Sequence, residues 1–96
     1  MRWFHATLLV ITAAVLATTI SQARAAQIAS VALELCHRAE REAPEAAREM
    51  IDRGLRQAEV AVRRNGDDPV AHFALFCNLG KRLRARGFSV FMIGDL

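Results

Sequence analysis

Cys36 and Cys77 are the two cysteines of this chain, and His37 and His72 stand near them in sequence. Together they raise three chemistries: a metal centre, covalently attached haem, and a disulfide. A metal centre needs three or four convergent ligands. Adjacent Cys36 and His37 project about 100° apart on a helix, and His72 and Cys77 miss the four-residue spacing that aligns two ligands. Haem attachment needs a further cysteine shortly before Cys36-His37, and there is none. No metal or other cofactor is expected. Two readings of the cysteines stay open. In an oxidising compartment they form a disulfide, and otherwise they are buried thiols used as small hydrophobes.

Other reactive groups are sparse. Beyond residue 25 the serines are Ser30 and Ser89, neither in a Gly-x-Ser-x-Gly turn, and there is no threonine. Glu40, Glu42, Glu45 and Glu49 read as solvated helix charges rather than as a desolvated acid–base pair. No glycine-rich phosphate loop is present. Lys81, Arg82, Arg84 and Arg86 crowd one short stretch without interleaved aromatics, which suits cations at the negative end of a helix dipole better than a nucleic-acid surface. The chain is expected not to be an enzyme and not to bind nucleic acid.

The amino terminus sets the compartment. Arg2 is followed by an uncharged apolar run from Ala6 to Ile20, then Ser21-Gln22 and the small-x-small tripeptide Ala23-Arg24-Ala25. This is the three-part pattern of a secretory signal peptide. The run is shorter than the ~20 residues of a stable helical span. Cleavage is expected between Ala25 and Ala26, with Ala23 and Ala25 supplying the small side chains the peptidase needs. The expected organisation is a signal peptide over 1–25 and a helical segment over 26–96, in the periplasm or secreted. Membrane contact would then be limited to the signal before cleavage.

Removing the signal changes the charge balance. The chain carries 13 Lys+Arg against 10 Asp+Glu, net +3. Arg2 and Arg24 leave with the signal and no acid does, so the remainder is close to neutral and the basic pI of 9.7 overstates its character. What remains is near the size at which one core only just suffices without staples or partners.

Three helices are read from periodicity. The first spans Gln27 to Glu42, with Ile28, Val31, Ala32, Leu35, Cys36 and Ala39 on one face. Pro44-Glu45 opens the second, whose stripe is Ala47, Met50, Ile51, Leu55, Ala58, Ala61 and Val62. Gly54 sits in that stripe, where a glycine usually lets another helix approach. Asn65-Gly66 is expected to end the helix through a left-handed residue, Asp67 or Asp68 to cap the next, and Pro69 to begin it. The third helix, to about Arg86, has an apolar line through Val70, Phe73, Ala74 and Cys77, with Phe76 and Leu79 beside it; Gly87 breaks it. The tail from Phe88 to Leu96 is strongly apolar, which leaves three readings open: it packs under the three helices, another helix or chain covers it (self-association through 88–96 included), or the chain is the front part of a longer protein.

Gly54-x3-Ala58-x2-Ala61, then Asn65-Gly66-Asp67-Asp68-Pro69, then Ala71-His72-Phe73-Ala74-Leu75 resembles the junction between two tetratricopeptide (TPR) units. His72 stands where that family usually has Trp, Phe76 where it prefers Gly, and Leu79 where it prefers Tyr. The resemblance covers about Gly54 to Leu83. It implies an all-α fold of antiparallel helix-turn-helix hairpins, about one and a half repeats after the signal. It also implies that the first helices of successive repeats are neighbours, so the faces carrying Cys36 and Cys77 can meet. The function it implies is non-catalytic protein–protein interaction, with Phe73, Phe76, Phe88 and Phe91 as anchors for a protein or peptide partner. The alternative is a small exported helical bundle for ligand binding or stress response, with the same phenylalanines lining an internal pocket.

Overall fold

The computed structural model describes residues 2–87 and resolves three helices: α1 (Arg2–Ala39), α2 (Pro44–Arg64) and α3 (Pro69–Ala85). There is no strand among the described residues, and the protein is all-α, built as helical hairpins. The tail 88–96, with Phe88 and Phe91, lies outside the described residues.

Helix α1 differs from the expected element at both ends. It does not begin at Gln27 but runs unbroken from Arg2, because nothing between the apolar run and Gln27 interrupts helical geometry. It stops at Ala39, short of Glu42, and the chain turns through Glu40–Glu42. Pro44 dictates that turn: it forces Ala43 to an extended ψ of 151° and occupies the first position of α2.

The two halves of α1 live in different surroundings. From Leu8 to Arg24 every residue is exposed, including Leu9, Val15 and Ile20. Ala25 is buried, and from there α1 packs against both α2 and α3. By length and composition α1 is apolar enough to cross a membrane.

The core is made of small side chains in layers. Ala29, Ala61 and Ala71, one from each helix, form one buried cluster, with Ile28 and Val62 against it. Ala32, Ala58 and Ala74 form the next, flanked by Leu33 and Leu75. Each layer takes its members from antiparallel α1 and α2 and from α3 running alongside α1, so the helices meet where alanine recurs. Three methyl groups at one level let helix axes approach to the short end of the usual ~8–10 Å range. Larger residues such as Leu35, Ile51 and Leu55 close the core farther along.

The α2–α3 turn is built differently from the expectation. Asn65 is extended, at φ −148°, and Gly87 is the one residue with positive φ among those described. The Asn65 side chain accepts from the Asp67 backbone N–H at 3.2 Å, so an Asx turn does what a left-handed residue would have done. Asp68 caps α3 by accepting from the Val70 N–H at 2.9 Å. His72 Nε2 lies 2.6 Å from the Gly66 carbonyl; as the Nε2–H tautomer it donates there and ties α3 to its own turn.

Candidate functional site

Beyond the two alanine layers, α3 places Asn78 in the core, fully buried. Its amide nitrogen donates to the Ala32 carbonyl of α1 at 3.0 Å and to Ala74 of its own helix at 2.9 Å. Its Oδ1 finds no hydrogen-bond donor and rests where a side chain of Gly54 would be. Gly54 therefore does admit a neighbour, and the neighbour is a polar amide rather than a helix backbone. Periodicity missed Asn78, because an asparagine mid-helix reads as solvent-facing.

Next along the same interface the structure joins Cys36 to Cys77 in a disulfide, with Cα atoms 6.2 Å apart. Both sulfurs are thereby committed to each other, which removes the two thiolates from any metal set. One turn on, Lys81 leaves the basic cluster and reaches back to α1. Its ammonium donates to the Cys36 carbonyl and pairs with Glu40 Oε1 at 2.9 Å. The geometry has a local cause. At the end of α1 the Glu40 N–H bonds to His37 rather than to Cys36, so the Cys36 carbonyl is one of the orphan acceptors of a helix C-terminus. A cation there also meets the negative end of the α1 dipole. The expectation of a solvated cationic stretch is corrected for Lys81, which is an interhelical clamp. Arg82 sits 3.9 Å from Asp52 of α2, a loose pair across the other side of α3.

Lys81→Met keeps the aliphatic stem and deletes the charge, leaving the Cys36 carbonyl without its donor. The loss should be about 1–2 kcal/mol, read as a lower urea midpoint at neutral pH. An unchanged midpoint would show the clamp to be idle. Glu40 adds a pH signature. The hydrogen bond from Lys81, and then its charge, lower the Glu40 pKa below the ordinary glutamate value. The ionised form is the one favoured in the folded chain, so its contribution is present above the unfolded-state pKa and fades as pH falls through the folded-state value. Thermal midpoints should slip slightly on the acid side of the glutamate range, and Glu40→Gln should flatten that part of the profile. Parallel profiles for the two proteins would overturn this assignment.

The outward side of α3 carries the bulky apolar residues. Phe73 is 57% exposed and Phe76 is 77% exposed, with Val70 and Leu79 also open to solvent. The apolar line read from the sequence thus splits. Ala74 turns inward with Ala71 and Asn78, and the phenylalanines turn out. The reason is steric: the alanine-layered interface has no room for an aromatic ring. Phe73 and Phe76 line no internal pocket.

A separate groove of about 570 Å³ runs between α1 and α2. Ile28, Val31 and Val60 form its floor, and Arg24, Arg56 and Arg64 stand along its rim with Gln27 and Gln57. Ala23, Ala25 and Ala26 of the expected cleavage site lie within α1 next in sequence to the groove residues Arg24 and Gln27, Ala25 buried and the other two exposed.

No protein-family model, no curated protein and no solved structure matches this chain.

Proposed function

We propose that this protein is an exported, non-catalytic helical scaffold of TPR-like design that presents the outer face of α3 to a protein partner. The observation that carries this reading is the exposure of Phe73 and Phe76 on one face with Val70 and Leu79. Contiguous apolar surface on a small chain marks an interaction site. The small residues behind the TPR resemblance support it, since Ala58, Ala61, Ala71 and Ala74 all sit in the helix contacts. One feature departs from that family. Cys36 and Cys77, side by side on α1 and α3, are 41 residues apart, whereas TPR units repeat every ~34. The long α2 accounts for the extra turns, so the likeness is to the hairpin design and not to the consensus period.

Export is supported by the tripartite amino terminus and by the exposure of α1 from Leu8 to Arg24. The Cys36–Cys77 disulfide fits an oxidising compartment. The alternative of a ligand-binding bundle needs the phenylalanines inside, and Phe73 and Phe76 point outward.

Phe73→Ser/Phe76→Ser tests the scaffold directly. Because both rings are exposed, stability should stay within about 0.5 kcal/mol of the parent. In-cell crosslinking of the parent should give a discrete higher-mass adduct, and the double variant should lose it. An adduct that persists in the variant, or a variant that unfolds, would reject α3's outer face as the docking surface.

A further inference from the structure

We infer that the α1–α2 groove is a binding site for the headgroup of an anionic phospholipid. Three features converge there. The rim holds three guanidinium groups, Arg24, Arg56 and Arg64, and no carboxylate lines the groove. Among the described residues none of the three is paired with an acid; the two ion pairs are Lys81–Glu40 and Arg82–Asp52. Guanidinium forks match phosphate oxygens in bidentate geometry, so an unpaired set calls for an anion.

The floor selects which anion. Ile28 and Val60 are half-buried and Val31 is exposed beside them, an apolar bed that an inorganic ion would not need. A phosphate with acyl chains attached satisfies both: oxygens on the rim, first methylenes on the floor. The amide groups of Gln27 and Gln57 supply donors for the remaining ester and glycerol oxygens.

Position then points to a membrane surface rather than to a free amphiphile. Arg24 lies four residues beyond Ile20, about 6 Å along the helix, at the junction where the exposed apolar half of α1 ends and the packed half begins. With Leu8–Ile20 among acyl chains, Arg24 and the groove mouth come to headgroup depth. The groove also survives the expected cleavage after Ala25. Arg24 would leave, with Arg56, Arg64, Gln27 and Gln57 unchanged along the rim. The site is cationic in either form, and it is independent of the proposed use of α3.

The test is native mass spectrometry of the full chain in a neutral detergent with equimolar phosphatidylglycerol and phosphatidylcholine. Lipid adducts should favour phosphatidylglycerol by at least about tenfold, since two or three basic side chains contribute about 1 kcal/mol each at an anionic headgroup. Arg56→Gln/Arg64→Gln should bring the ratio close to one. Arg48→Gln/Arg86→Gln, in the separate cleft between α2 and α3, should leave the preference intact. All four arginines are solvent-exposed, and far-ultraviolet circular dichroism should show every variant helical. Equal uptake of both lipids by the parent would overturn the inference. So would a preference that survives the groove replacements, or one that vanishes equally in the control pair. Inorganic phosphate added in excess should compete weakly; complete displacement by it would mean an anion site without lipid selectivity, and would also overturn the proposal.

Discussion

Gly54→Ala should destabilise this protein by about 2 kcal/mol, although alanine is the better helix former by about 1 kcal/mol. A Cβ at position 54 would lie 2.8 Å from Asn78 Cγ and 2.9 Å from Nδ2, and closer still to Oδ1. The amide cannot simply swing away. Its nitrogen is held by the carbonyls of Ala32 and Ala74, and the residue is fully buried. Moving it sacrifices one or both hydrogen bonds at about 1 kcal/mol each and overpacks a tight interface. For a domain of this size the loss corresponds to a fall in melting temperature of roughly 8–16 °C.

The pair can be tested as a unit. Asn78→Ala deletes both hydrogen bonds, but it also deletes the orphaned Oδ1 and opens room for a methyl group. In Gly54→Ala/Asn78→Ala, alanines would face each other as in the two layers beside them. The double variant should therefore be more stable than the sum of the single changes by at least about 1 kcal/mol. Additive losses would show that Gly54 and Asn78 do not meet. The physical use of Asn78 is register. Alanine layers resemble one another, so an interface made of them alone tolerates sliding by a turn, whereas an amide bonded to one α1 carbonyl fits a single alignment.

Removal of the Cys36–Cys77 disulfide should cost still more. The linked residues are 41 apart, and closing such a loop restricts the unfolded chain by about 4 kcal/mol on the chain-entropy account. That is a large share of the ~5–15 kcal/mol that domains have in total. It weighs more here because the core is largely alanine, and each buried methyl contributes far less than a leucine side chain. Cys36→Ala/Cys77→Ala, or the parent in reductant, should lose several kcal/mol in urea unfolding. The same Lys81→Met change should then cost more, since the clamp and the disulfide hold the same end of α1 against α3. A reduced protein that unfolds at the parent's midpoint would show that helix packing alone suffices.

The sequence by itself determined the helices and much of their inward faces. Proline, with its fixed φ and missing N–H, sets the first turn of α2 at Pro44 and of α3 at Pro69, and these are local effects that need no neighbour. The inward stripe of α2 was legible through Ile51, Leu55, Ala58 and Ala61, because a long amphipathic helix repeats its pattern often enough to leave one solution. The continuation of α1 through Gln27 was not, since the signal pattern and the helical pattern overlap there and either alone explains the residues.

What only the tertiary structure decided is which side of α3 faces in. Periodicity ranks residues by hydrophobicity, and on that scale Phe73 and Phe76 outrank Ala71 and Ala74. Packing ranks them by volume once two other helices stand close, and then alanine goes inside and phenylalanine outside. The same closeness buries Asn78 beside Gly54 and turns Lys81 from a surface cation into a clamp on Cys36. Those three positions depend on atoms supplied by helices between about 24 and 46 residues away in sequence, and no local pattern carries that distance.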